Sequence, residues 1–202
     1  MEKRIIAIGR EFGSGGREVG KLLAAELGIP FYDKELLKRV AEVGDFHEKF
    51  LETHEETAPT IAISSFDRNM MDSFYQPSFS DSIFVEQANV IRDIADEGPC
   101  VIVGRCADYI LRDRNILTVF MHADMAYKIS RKHAVAPEKA DYTDEEMEKY
   151  IKKVEKARRK YYEHYTGQKW GQADHYDLCL NTGKLGTEGA LKVIMAYLES
   201  YK

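Results

Sequence analysis

Apolar positions along the chain fall into two periods, and the switches between them predict its elements. Ile5-Ile6-Ala7-Ile8 is a continuous apolar run rich in β-branched residues, the pattern of a buried strand. Val19, Leu22, Leu23 and Leu27 then recur at helical spacing. Gly28 and Pro30 stop that helix, and Ile29-Pro30-Phe31-Tyr32 reads as a short second strand. Leu36, Leu37, Val40 and Ala41 predict a second helix, with Asp33 as its expected cap. Strand and helix alternating in this way predict a parallel sheet with crossover helices, an α/β fold.

Residues 45–80 break the rhythm. Phe66, Met70, Met71, Phe74 and Tyr75 stand there among polar residues, as in an irregular or helical excursion whose aromatics fill a core or cover a ligand. Helical spacing returns at Phe84, Ala88, Ile91 and Ala95, in a helix starting at Ser80 or Asp81, and Gly98-Pro99 ends it. Cys100-Val101-Ile102-Val103-Gly104 suits a central parallel strand buried on both faces. Ala107, Asp108, Ile110 and Leu111 suggest a short helix, and Ile116-Leu117-Thr118-Val119-Phe120-Met121 the next strand. Asp124 would cap a helix to about Ala134 bearing Lys128, Arg131 and Lys132.

After a polar break, Thr143-Asp144-Glu145-Glu146 reads as a capping box. The long helix behind it has Met147, Ile151, Val154, Ala157, Tyr161 and Tyr165 on one face, with Arg158 and Arg159 among the cations on the others. Two cationic segments around a break suit a lid that folds over phosphates; a charged face is also what any solvated helix shows. Trp170 packs or stacks on a base. Tyr176-Asp177-Leu178-Cys179-Leu180 is the last strand, closed by Asn181-Thr182-Gly183, and Ala190, Leu191, Ile194 and Leu198 mark the last helix.

The candidate chemistry gathers where the first strand meets the first helix, at Gly9-Arg10-Glu11-Phe12-Gly13-Ser14-Gly15-Gly16-Arg17-Glu18-Val19-Gly20. Glycines let a backbone bend sharply and turn its N–H groups into one concavity, and the following helix adds unpaired amides and a positive dipole end. The stretch predicts a phosphate cradle at Gly13, Ser14, Gly15, Gly16, Arg17 and Glu18. It departs from the Gly-x-x-x-x-Gly-Lys-[Ser/Thr] pattern: no frame supplies both lysine and hydroxyl, and Arg17 is the nearest cation. A plain glycine-rich turn is the alternative. Arg105 follows the central strand directly, where open α/β sheets place ligands.

Composition narrows the classes. The chain has 202 residues and a formal net charge of -5 without a long basic block, which disfavours a nucleic-acid polymer as main partner. No apolar run reaches membrane-spanning length, and the chain opens on a strand instead of a secretory signal. Cys100, Cys106 and Cys179 form no Cys-x-x-Cys pair. Cys100 and Cys179 are expected as buried thiols in a reduced, cytoplasmic setting.

Several separated segments then agree with one family. Gly9 to Glu18 as quoted, Leu27-Gly28-Ile29-Pro30-Phe31-Tyr32-Asp33, Val103-Gly104-Arg105, Tyr165-Thr166-Gly167-Gln168-Lys169-Trp170-Gly171 and Tyr176-Asp177-Leu178-Cys179-Leu180-Asn181-Thr182 resemble the cytidylate kinase-like family of P-loop proteins. The resemblance implies a three-layer fold with a five-stranded parallel sheet. It implies a single domain whose core is 1–44, 99–134 and 175–202, with an acceptor-binding excursion over 45–98 and a lid over 135–174. It implies transfer of the terminal phosphoryl group of ATP, with Mg²⁺, to a nucleoside monophosphate such as CMP or dCMP. Arg17, Arg105, Arg131 and Arg158 would act in catalysis, Tyr32, Asp33 and Arg105 would bind the acceptor, and Arg131, Arg158 and Arg159 would be lid arginines. Cys106 stands where the family has aspartate, which leaves base recognition open. A non-catalytic nucleotide- or anion-binding module, or a kinase for another small metabolite, remains the alternative; metal ligands and oligomeric state are left open.

Overall fold

The computed structural model describes residues 5–44, 79–136, 139 and 141–200. Phe66, Met70, Met71, Phe74 and Tyr75, with the rest of the excursion over 45–78, lie outside them. The described strands are β1 (Ile5–Arg10), β2 (Phe31–Tyr32), β3 (Cys100–Val103), β4 (Ile116–His122) and β5 (Leu178–Asn181). They form one five-stranded sheet in the order β2-β3-β1-β4-β5, and every pair is parallel. The helices are α1 (Gly16–Leu27), α2 (Glu35–Gly44), α3 (Phe79–Glu97), α4 (Ala107–Ile110), α5 (Met125–Val135), α6 (Asp144–Thr166) and α7 (Thr182–Ser200).

The central strands read as continuous apolar runs because both of their faces are covered. Side chains alternate across a strand, so Ile5, Ala7, Cys100 and Ile102 point one way and meet α2, α3, α4 and part of α6. Ile6, Ile8, Val101 and Val103 point the other way and meet α1 and α7. That is the three-layer α/β arrangement. Isolation from water pushes the Cys100 thiol up to about 11, with Glu97 adding to the effect.

Some local expectations change. Residues 79–97, reckoned with the excursion, pack Ile83, Ala88, Val90, Ile91, Ile94 and Ala95 into the first layer. Tyr161 and Tyr162, within the expected lid, join the same cluster. Cys179 is exposed, because β5 is an edge strand and this residue faces away from α7 and its packing. β5 closes at Asn181 as expected, and α7 starts directly at Thr182 and kinks at Gly186. The Thr143 capping box forms, with Glu146 N–H donating to Thr143 Oγ1 and Thr143 N–H to the Glu146 carboxylate.

Ile102 sits in the middle of the first layer with no solvent exposure. Ile102→Ala is expected to lower unfolding free energy by about 2–5 kcal/mol, read from urea titration. A loss below about 0.5 kcal/mol would contradict this packing.

Candidate functional site

β1 and β3 are adjacent, yet α1 follows β1 onto one face of the sheet and α4 follows β3 onto the other. Their connections therefore part, and a crevice opens beyond the carboxyl ends of the two strands. Everything chemically notable surrounds that crevice.

On the β1 side, residues 11–15 form the turn into α1. Gly15 has φ +85°, and a Cβ there would lie 2.9 Å from Arg131 Nε and 3.1 Å from Thr187 Cγ2. The turn is thus pressed between α5 and α7 with no room for a side chain. Ser14 is wholly buried and shapes the turn from beneath. Its hydroxyl donates to the Glu11 carbonyl (2.9 Å) and accepts from Gly16 N–H (3.4 Å), and its carbonyl accepts from Thr182 Oγ1 (2.5 Å). The first amides of α1 have no intrahelical partners and carry the positive end of its dipole.

Helices α5 and α6 lie against this turn. Lys128 is buried, and its ammonium sits 2.6 Å from a Glu11 carboxylate oxygen and 2.7 Å from one of Glu155. Burial by itself would lower the Lys128 pKa, but the hydrogen bonds and charges of Glu11 and Glu155 outweigh it and raise the value. Beside it, Lys132 Nζ stands 3.9 Å from the Phe12 ring centre and the Arg158 guanidinium 5.4 Å, while Tyr150 meets that ring edge-on at 5.5 Å. Arg131 is ion-paired with Glu18, whose other oxygen accepts from Thr187 Oγ1 at 3.3 Å.

Between turn and helices runs a cleft of about 830 Å³. Arg10, Arg17, Lys21 and Lys34 line it from below, and Arg131, Lys132 and Arg158 from α5 and α6; Glu11, Glu18 and Asp33 are its acids. Seven cations against three carboxylates make this a positive region on a chain whose net charge is -5. Cations around a helix N-terminus suit a multiply charged anion.

On the β3 side lies a cavity of about 20 Å³, room for about one water. Gly104, Arg105 and Cys106 have φ of 79°, 57° and 56°. Left-handed backbone at two non-glycine residues costs about 1–2 kcal/mol each, a strain that concentrates at functional positions. This turn directs the buried Arg105 to the cavity, where its Nη1 donates to Gln87 Oε1 at 3.4 Å. Asp108 also lines the cavity and accepts from Tyr162 OH at 2.7 Å. Burial raises the Asp108 carboxyl despite that hydrogen bond, and burial together with Asp108 pushes the Tyr162 and Tyr176 hydroxyls well up.

Gly13, Gly15, Gly16, Arg17, Glu18, Asp33, Arg131 and Arg158 all line the large cleft, and Arg105 the small cavity. Ser14 lies beneath the turn. Tyr32 packs against the first core layer under the Arg39 guanidinium (5.3 Å), and Arg159 lies over Trp170 (5.7 Å); neither lines the two cavities. Asp33 faces Arg17 and Arg10 with its carboxylate. Trp170 packs edge-on against Phe120 at 5.4 Å. Sequence reasoning had Arg10 and Glu11 inside the candidate stretch and Lys128 on a cationic helix but gave none of them a role of its own, and it read Asp108 only as part of a short helix. Among the described residues no group of three His, Cys, Asp or Glu could hold a metal ion, and no helix is long and apolar enough to cross a membrane.

The family model described as cytidylate kinase-like matches residues 5–184. No curated protein matches the chain. The crystal structure of an uncharacterized protein from Eubacterium ventriosum is 33% identical, with TM-score 0.72, over 98% of this chain and 99% of that one. Shikimate kinase from Bacteroides thetaiotaomicron is 17% identical, with TM-score 0.58, over 96% and 98%. A gluconokinase from Sinorhizobium meliloti is 12% identical, with TM-score 0.53, over 99% and 98%. The last two show a shared P-loop kinase fold.

Two outcomes are expected at this site. Lys128→Met strands Glu11 and Glu155 together and should cost about 3–5 kcal/mol of stability in urea titration, more than Glu155→Gln, which leaves Lys128 its second partner. For Asp108 the raised carboxyl fixes the sign: its contribution is fully present below the unfolded-state value, about 3.9, and is lost as pH rises through the higher folded value. Asp108→Asn should remove that fall, so its urea midpoint should gain on the wild type as pH rises. Parallel curves would show that Asp108 is not held up.

Proposed function

This chain belongs to the cytidylate kinase-like family, and on that premise we propose that it transfers the terminal phosphoryl group of ATP to a nucleoside monophosphate. CMP or dCMP is the preferred acceptor by family resemblance. The observation that carries the reading is the cationic cleft of about 830 Å³ over the start of α1, which shares Arg10 and Arg158 with the small cavity that Arg105 lines. In the reaction the bond between the terminal phosphorus and its bridging oxygen breaks, with the electron pair leaving on the ADP product. A new bond forms to an oxygen of the acceptor phosphate.

Such a transfer needs positioning and charge neutralisation more than covalent chemistry. The amides of Gly15, Gly16, Arg17 and Glu18 and the α1 dipole would hold the donor phosphates. Arg131 and Arg158 would neutralise charge from above, and Arg105 would grip the acceptor phosphate. Mg²⁺ would enter as Mg·ATP, chiefly on the phosphates, with Glu18 the one first-turn acid within the cleft to meet its hydration shell. Arg131 now pairs with Glu18 and Arg17 with Asp33, so incoming phosphates would exchange for those carboxylates.

A second reading has its own support. The standard lysine and hydroxyl are absent from the turn, and removing one preorganised electrostatic contact costs about 100-fold or more in rate. That favours an anion-binding module that does not turn over, or a kinase for another small metabolite.

The screen that separates these readings measures ADP release from Mg·ATP with each common nucleoside and deoxynucleoside monophosphate. Turnover dependent on one acceptor is expected. Arg105→Ala should raise that acceptor's KM by about 10–100-fold, the worth of a charged hydrogen bond, and Arg131→Ala should mainly lower kcat. ATP binding without turnover on any acceptor would leave the binding module standing.

A further inference from the structure

We infer that Arg10, not Arg17, takes the place of the missing P-loop lysine and contacts the phosphoryl group between donor and acceptor. The inference rests on the phosphotransferase reading above. Its geometric basis is that Arg10, like Arg158, lines both the large cleft and the small cavity, and that two glycines hold the Arg10 side chain between the two turns.

Two glycines on different elements make room for this one side chain. A Cβ on Gly16, the first residue of α1, would lie 2.6 Å from Arg10 Cβ. A Cβ on Gly104, in the turn after β3, would fall on the Arg10 guanidinium, 2.6 Å from Cζ and 2.9 Å from Nη2. The arginine therefore starts beneath the donor-side turn and ends beneath the acceptor-side turn. Real Cβ atoms do not approach heavy atoms so closely, so either methyl would force the arginine to move.

Arg17 is placed differently. Its Nε donates to Asp33, and its side chain is 48% exposed at the rim of the cleft. Arg10 is buried at 9% exposure, with its Nη2 3.8 Å from the carboxylate of the same Asp33. A buried, positioned guanidinium loses little entropy on meeting an anion and acts where water is scarce. Strand β1 supplies it, and β1 is the middle strand of the sheet, paired on both sides. In the transfer, negative charge on the moving group and on the departing ADP oxygen would face this guanidinium. No proton changes hands, because guanidinium stays charged throughout.

The test uses the full chain, Mg·ATP and the nucleoside monophosphates in turn, with inorganic pyrophosphate titrated calorimetrically as a second probe. Arg10→Gln should lower kcat by about 100-fold while the Kd for Mg·ATP changes far less, and should weaken pyrophosphate by about tenfold. Arg10→Lys should recover about tenfold of the lost rate, since lysine carries the same charge on a slimmer head. If Arg10→Gln does not fold, Arg10→Lys is judged on the same readouts against the wild type, and an unaltered kcat and pyrophosphate affinity overturns the inference. Unaltered values in a folded Arg10→Gln overturn it too. The two readings fail apart: a wild type that phosphorylates an acceptor without needing Arg10 sinks only this inference. Pyrophosphate binding that depends on Arg10, with no turnover on any acceptor, sinks only the phosphotransferase reading.

Discussion

The crevice exists because two neighbouring parallel strands send their helices to opposite faces of the sheet. β1 and β3 pair in register from Ile5 with Cys100 to Ile8 with Val103. α1 then packs with α7, while α4 packs with α2 and α3. No loop can cover the gap left between such connections, and polar groups from both turns face it. The strained turn at Gly104, Arg105 and Cys106 is held by the same construction: Gly104 N–H donates to the Ile8 carbonyl at 2.9 Å, continuing the β1–β3 ladder one step past the strand.

A second constraint sets what the crevice is like. Cations crowd one region of an acidic chain, and each must be held there against mutual repulsion. The molecule does this with carboxylates that are themselves part of the wall. Glu11 and Glu155 hold Lys128, Asp33 holds Arg17, and Glu18 holds Arg131. These pairs also tie separate elements together. Lys128 joins the turn after β1 to α6, and Arg131 joins α5 to the first turn of α1. A buried ion pair adds little net stability over apolar packing, but breaking one partner is costly, so these contacts fix geometry more than they strengthen the fold. Phe12 works alongside them, with its ring faced by Lys132 and Arg158.

Members of this fold differ in what they act on, and the fold alone carries no substrate. What shapes this site is local: an arginine ending β1, a turn without the standard lysine and the hydroxyl residue after it, and a buried guanidinium after β3. Guanidinium groups grip two oxygens at once and stay charged in a buried setting, which suits a site that fixes phosphates by orientation.

The chain's own residues determined the layers. Continuous apolar runs at 5–8 and 100–103 suited buried central strands, and helical spacing between them pointed to crossovers, so the parallel sheet was legible in the sequence. The glycine turn and Arg105 were legible for the same reason: they sit at fixed offsets from those strands. Periodicity could not reveal Arg10 or Lys128, because a charge at the end of a strand or on a helix looks the same whether solvent or a carboxylate receives it. Nor could it tell that Ser14 would turn inward, that Asp33 would meet Arg17, or that Cys179 would lie on an open edge. Those outcomes depend on which elements become neighbours, a long-range property that packing decides and local sequence spacing does not encode.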